Sequence, residues 1–121
     1  MAKNPVVWWE IASPDAIKTA EFCRKVFDWE LNYDEQTTIY EFPEPPGENK
    51  FAGGGIFTPK PGGVEPHTTI YIAVDSVDEI ARAAVEAGGS IMVAPTEIVP
   101  GTRICLVKDP VGVILAGFEK L

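Results

Sequence analysis

Basic residues are scarce in this chain: Lys and Arg number 10 against 18 Asp and Glu, a net charge of −8 over 121 residues. A phosphate backbone is gripped by Lys and Arg clustered on one face, and no such cluster occurs along the sequence. Nucleic acid is therefore not an expected partner. Long apolar runs are missing as well. None reaches the roughly 18 residues of a membrane-crossing helix, so no membrane contact is expected. The opening MAKNPVVWWE lacks the apolar stretch and small-residue cleavage site of a signal peptide, which leaves a cytoplasmic location as the expectation. Cys23, Cys105 and His67 are the only residues of their kinds. The two cysteines match no metal or redox spacing. Each stands in an apolar context and reads as a buried free thiol.

What the chain has is repetition. Residues 6–58 read as a strand, a helix and three further strands, and residues 68–121 read the same way, with 59–67 as a Pro/Gly-rich linker. The first copy opens with VVWWEIA, apolar enough for a buried strand. Ser13-Pro14-Asp15 then predicts a helix start, with Ser13 as cap, Pro14 at the first helical position and Asp15 on the positive end of the dipole. Ala16, Ala20, Cys23 and Val26/Phe27 form one apolar stripe, expected to face inward. Strands are predicted over residues 31–33, 37–42 and 50–58, the last after a loop with three prolines and a glycine.

In the second copy a strand over 69–74 precedes a helix with Asp75 and Asp78 at capping-box spacing. Val77, Ile80, Ala84 and Val85 would form its inward stripe, and Gly88-Gly89 would end it. Strands follow at 90–93, 103–107 and 113–119. Asp109-Pro110-Val111-Gly112 joins the last two as a type I turn. With 45% hydrophobic residues, one domain over residues 1–121 has enough apolar material for a core.

The segments TTIYIAVDSVDEIARAAVEAGGSIMVAP and RICLVKDPVGVILAGFE, with ASPDAIKTAEFCRKVFDWEL as first-half counterpart, resemble the vicinal oxygen chelate superfamily. That group includes glyoxalase I, bleomycin- and fosfomycin-resistance proteins and extradiol dioxygenases. The resemblance implies an α+β fold: two tandem βαβββ modules forming a curled, mostly antiparallel sheet around a cup. In metal-using members four His, Glu or Gln ligands line that cup, one near the start of each module's first strand and one in each last strand. Carried onto this chain, those positions fall at Trp8, Thr69, Gly54 (within one residue) and Ala116. An indole, a neutral hydroxyl, a hydrogen and a methyl are poor ligands for a divalent metal, so no metal and no cofactor is expected.

Alternate residues of a strand share a face. If Trp8 faces the cup, so do Glu10 and Ala12, while Trp9 and Ile11 turn to the helices. Likewise Thr69, Tyr71 and Ala73 face inward, as do Ile114, Ala116 and Phe118. The expected ligand-binding set is Trp8, Glu10, Gly54, Thr69, Tyr71, Ala116 and Phe118, an aromatic pocket with one carboxylate and one phenol. Each has a plainer alternative. Trp8 and Phe118 could fill the cup themselves, Tyr71 could sit on its rim, and Glu10 could pair with Arg103 or a lysine. His67 reads as a loop residue, with a ligand or acid–base role as the other option. The Gly53-Gly54-Gly55 run lacks the following helix and Lys-Ser/Thr pair of a phosphate loop. It is expected to make room for a ligand or partner strand.

The leading functional expectation is a metal-free small-molecule-binding protein that holds an aromatic or hydrophobic ligand, with Glu10 meeting a polar or cationic group. No catalytic residue is assigned. The alternatives are a glyoxalase-like lyase or isomerase, or a dioxygenase-related enzyme, with a metal on an unusual set such as His67, Glu10 and Glu119, and an accessory protein acting through an interface. The resemblance also implies a homodimer.

Overall fold

A computed structural model describes residues 4–42, 53–59 and 65–121. The expected loop at 43–49, residues 50–52 of the following strand and most of the linker lie outside them. Contacts divide the chain into two compact units, one of residues 8–68 and one of residues 1–7 with 69–121. The elements are β1 (Val6–Ala12), α1 (Ala16–Phe27), β2 (Asn32–Asp34), β3 (Ile39–Glu41) and β4 (Gly53–Phe57), then β5 (His67–Ala73), α2 (Val77–Glu86), β6 (Ser90–Val99), β7 (Thr102–Lys108) and β8 (Ile114–Lys120). This is strand, helix and three strands, stated twice. Among the described residues no helix is long and apolar enough to cross a membrane.

In the 8–68 unit the strands lie in the order β2-β3-β4-β1. β1 and β4 run parallel, with Trp8 beside Gly53, Trp9 beside Gly54 and Glu10 beside Gly55. β3 is antiparallel to β4 and places Glu41 beside Gly55. Helix α1 covers one face with its small residues: Ala16, Ala20 and Cys23 form a buried core with Leu31 and Ile56. Trp9 shares that face, with its ring centroid 5.6 Å from that of Trp29 and 5.3 Å from that of Phe42.

Three expectations for the first module are corrected. The cap of α1 is Asp15, whose side chain accepts from the Lys18 N–H. Ser13 sits one step earlier and accepts from the Asp15 N–H at 3.1 Å, so Pro14 precedes the cap. The choice is set from a distance, because Thr58 Oγ1 accepts from the Ala16 N–H at 2.9 Å. Val26 and Phe27 do not continue the inward stripe; both stay more than half exposed. The start of β1 is also open, since Val6 and Val7 are exposed.

In the other unit the order is β5-β8-β7-β6. Val77, Cys105 and Val107 form the core under α2, with Val74, Ile80, Ala84 and Leu115 packed on it; Val85 points outward. Ser76, rather than Asp75, caps α2 by accepting from the Glu79 N–H. The start of α2 is tied to the sheet twice. Glu119 Oε1 accepts from the Val77 N–H at 2.9 Å, and Arg103 donates to both Asp78 oxygens at 2.6 and 3.2 Å.

Gly88 and Gly89 end the helix as expected: the Gly88 N–H donates to Val85 O and the Gly89 N–H to Ala84 O, a Schellman closure. In the β7–β8 turn the Gly112 N–H donates to Asp109 O at 3.0 Å, and Asp109 Oδ1 accepts from Val111 and Val113. β6 runs to Val99, well past the expected strand at 90–93, and its register against β7 shifts three times.

Two outcomes are expected. A Cβ at Gly54 would fall inside the Trp9 indole, so Gly54→Ala should cost about 1–3 kcal/mol or more in urea unfolding, as overpacked cores do. The Arg103 hydrogen bond and charge hold the Asp78 carboxyl below its ordinary value. A lowered folded pKa gives stability that is present above the unfolded pKa and lost as pH falls through the folded one. Asp78→Asn should therefore lower the melting temperature at pH 7, and the difference from wild type should close in acid.

Candidate functional site

The expected site residues fall on two faces, each on the side of its unit's strands away from the helix. On the 8–68 unit that face begins with Trp8. Its ring lies on β4: a Cβ built at Gly53 would stand 3.1 Å from Trp8 Cζ3, and one at Gly55 would stand 3.4 Å from Cζ2. Trp8 Nε1 donates to Glu10 Oε2 at 3.2 Å, so the carboxylate that the apolar strand carries is met by the neighbouring indole. Trp8 and Glu10 are both half-buried. Arg103, weighed as a partner for Glu10, is committed to Asp78.

Gly54 is not on this face. Its missing Cβ points at Trp9, and the β4 residues that share the Trp8 side are Gly53 and Gly55. The triglycine run is thus not open room. It is covered by Trp8 on one side and Trp9 on the other: a Cβ at Gly54 would collide with the Trp9 indole, one at Gly55 with Ile39, and one at Gly53 would be tight against Trp8. The signal was present in the sequence as a Trp-Trp pair that needs a strand without side chains beside it.

Glu41 is a candidate that the sequence reading missed. It pairs with Gly55 from the β3 side, as Glu10 does from the β1 side, so two carboxylates flank one glycine on the Trp8 face. Adjacent strands lie about 4.8 Å apart, which sets the two backbones about 10 Å from each other. Burial, then a hydrogen bond and the charge of Asp34, push the Glu41 carboxyl above the usual carboxylate range.

The face of the second unit carries Thr69, Tyr71, Ala116 and Phe118. Tyr71 pairs with Ala116, and Ala116 and Phe118 pair with Leu106 and Ile104 of β7. Gly117, between them, turns the other way, toward Cys105, Val77 and Val74 beneath α2. The expected alternation of β5 and β8 therefore holds. Tyr71 and Ala116 are buried, and Thr69 is only 2% exposed. The Thr69 hydroxyl has no hydrogen-bond partner, at a cost that a polar ligand group could relieve.

His67 is the first residue of β5 rather than a loop residue, with Nδ1 2.8 Å from Glu65 O. It lines a shallow groove with Ser13, Lys18 and Thr19. Glu119, offered with His67 and Glu10 as an unusual metal set, faces α2 and is engaged by the Val77 N–H and Arg103. Among the described residues no three of His, Cys, Asp and Glu stand together as metal ligands. The indole, hydroxyl and methyl at Trp8, Thr69 and Ala116 do not fit a divalent metal either.

Two βαβββ modules, each with one helix on one side of its strands, define a protein of the glyoxalase and bleomycin-resistance fold. The chain belongs to the Glyoxalase/Bleomycin resistance protein/Dioxygenase superfamily, whose family model matches residues 6–116. It is 26% identical over 138 residues to the anthracycline biosynthesis protein DnrV of Streptomyces peucetius, an alignment that takes in 98% of this chain and 48% of that protein. The chain thus spans about half the length of the curated relatives it matches. A superfamily member from Vibrio splendidus superposes with a TM-score of 0.61 at 10% identity, covering 98% of this chain and 100% of the other. Streptomyces coelicolor methylmalonyl-CoA epimerase, in complex with 2-nitronate-propionyl-CoA, does so with a TM-score of 0.59 at 18% identity, covering 98% and 99%. At such identities these two structures speak for the fold alone.

The raised pKa of Glu41 sets a pH dependence. Its stability contribution is fully present below the unfolded carboxylate pKa and is lost as pH rises through the folded one. Glu41→Gln should be stabilised relative to wild type at neutral pH, with the gain vanishing in acid, as read by chemical unfolding across pH.

Proposed function

We propose that this chain is a metal-free small-molecule-binding member of its superfamily, working in the cytoplasm, with an aromatic or hydrophobic ligand. The observation that carries this reading is the Trp8–Glu10 pair. An indole laid flat on a glycine backbone offers a rigid apolar plane, and the carboxylate joined to its N–H offers an anchor for a polar or cationic group. Thr69, Tyr71, Ala116 and Phe118 supply the corresponding lining on the second module, with the Thr69 hydroxyl seeking a partner. Gly53 and Gly55 take the place first given to Gly54. DnrV is named for anthracycline biosynthesis, and an anthracycline is a planar fused-ring compound, the shape an indole face accepts.

Glu41 favours a second reading, an acid–base enzyme acting on a ligand in the same place. Two carboxyls on the Trp8 face, Glu41 with a raised pKa and Glu10 across Gly55 from it, are the kind of pair that general acid–base chemistry uses. The two readings share the binding residues and differ in whether the bound molecule leaves changed.

Tryptophan fluorescence titrated with an anthracycline, and with smaller planar aromatics bearing or lacking an amine, tests the binding. Quenching is expected, with Trp8→Phe abolishing it while Trp9 and Trp29 remain. Glu10→Gln should weaken aminated ligands by roughly tenfold, the worth of one hydrogen bond to a charged group, and spare neutral ones. Chelator treatment should leave affinity unchanged. No response across the series, or a response that chelation removes, would defeat the proposal. Recovery of a chemically altered ligand from wild type but not from Glu41→Gln would favour the enzyme.

A further inference from the structure

The two helices occupy equivalent places in their modules and differ in one respect. α2 is ordinarily amphipathic: Val77 and Ala81 are buried, while Asp78, Glu79, Arg82 and Glu86 face out, and Glu79 and Arg82 pair with each other. α1 is inverted. It buries Ala16, Ala20 and Cys23 and leaves its large residues outside, with Ile17 and Phe22 each 59% exposed, Val26 55% and Phe27 56%. A helix that had only to cover its own strands would place these the other way round. The exposed rings are also held in place. Phe22 meets Phe27 edge-on at 6.4 Å, Phe27 meets Trp29 at 5.5 Å, and Trp29 meets Phe42 at 4.5 Å. Surface phenylalanines anchored through a ladder of rings to the core lose little freedom on being covered, as interface anchors should.

The charges beside them identify what does the covering. Lys18, Glu21 and Lys25 follow one another at steps of three and four residues along one stripe of the helix, and Asp28, the left-handed residue that caps its end, comes three further on; all four are exposed. Their signs run plus, minus, plus, minus. About the midpoint at Cys23 the order is antisymmetric: Lys18 mirrors Asp28 and Glu21 mirrors Lys25. This is the pattern by which a helix complements a copy of itself running in the opposite direction. Arg24, the remaining cation of α1, is withdrawn from the stripe, since it donates to Leu31 O at 2.7 Å and lies 5.7 Å over the Tyr40 ring.

We propose that the outer face of α1 is an interface with a second copy of this chain, the two helices packing antiparallel about a two-fold axis. Glu21 then meets Lys25 of the second copy and Lys18 meets Asp28 of the second copy, each pair occurring twice. Phe22 and Val26 of both copies form the apolar centre beside them. An isologous contact requires self-complementarity of this kind. The rings supply the dry core and the ion pairs the rim, as stable interfaces are arranged.

Sedimentation velocity on the full chain tests this, with circular dichroism to confirm folding. Wild type is expected at twice the monomer mass, and Phe22→Asp with Val26→Asp at the monomer mass. Glu21→Lys, which sets like charges together in both inner pairs, should raise the dimer dissociation constant roughly tenfold or more. The double exchange Glu21→Lys with Lys25→Glu should restore it. A monomeric wild type, a dimer that survives loss of Phe22 and Val26, or a charge exchange that fails to rescue would each overturn the proposal.

Discussion

A strand that must carry no side chains governs the first module. Trp8 and Trp9 stand side by side on β1, and each sends an indole across β4 on its own face. Two rings of that size can lie on one neighbouring strand only if its Cα atoms are bare, and Gly53-Gly54-Gly55 meets the condition. Glycine weakens a strand by its entropy and by the packing it forgoes. Here the loss is offset, because the rings pack directly on the backbone. The consequence reaches the site, since Trp9 is held in the α1 core with Trp29 and Phe42 while Trp8 is turned to the other face with its N–H on Glu10.

The second module solves the same layout differently. Its β8 sets Ala116 and Phe118 on one face and turns Gly117 to the other, where Cys105 and Val77 press close. Its helix is fastened at the start by Glu119 and Arg103, whereas α1 is fastened by Thr58 and Asp15. The two copies thus share a topology and little of the chemistry that maintains it. The exteriors differ as well: that of α2 is mostly charged, whereas α1 carries exposed phenylalanines beside its charges.

Much of this was legible in the sequence. The repeat, the span of β1, the Asp109–Gly112 turn and the closure at Gly88-Gly89 follow from local patterns, and local contacts realise them. The alternation that separates Trp8 from Trp9 and Tyr71 from Ile72 is also local. What escaped depended on partners far along the chain. Three glycines carry no alternation of their own, so the face of Gly54 was fixed only by Trp9. Ser13 and Asp15 are both good caps, and Thr58, 42 residues on, sets the choice between them. Val26 and Phe27 fit an inward stripe by spacing, but the small residues Ala16, Ala20 and Cys23 already fill the contact with the strands. Nothing in the sequence marks Glu41; its burial and the nearness of Asp34 set it apart.

The three register shifts in β6 have a meaning for the protein's behaviour in a crowded solution. Among the described residues this ten-residue strand has a neighbour on one side only, and Ile91, Ile98 and Val99 are open. A straight, flat strand of that length would be a template for uncontrolled strand addition. Each bulge bends the ribbon and breaks the spacing of its free amides, and Pro95 removes one amide altogether. An incoming chain would find no long stretch to zip onto, so the irregularity guards against fibrillar aggregation.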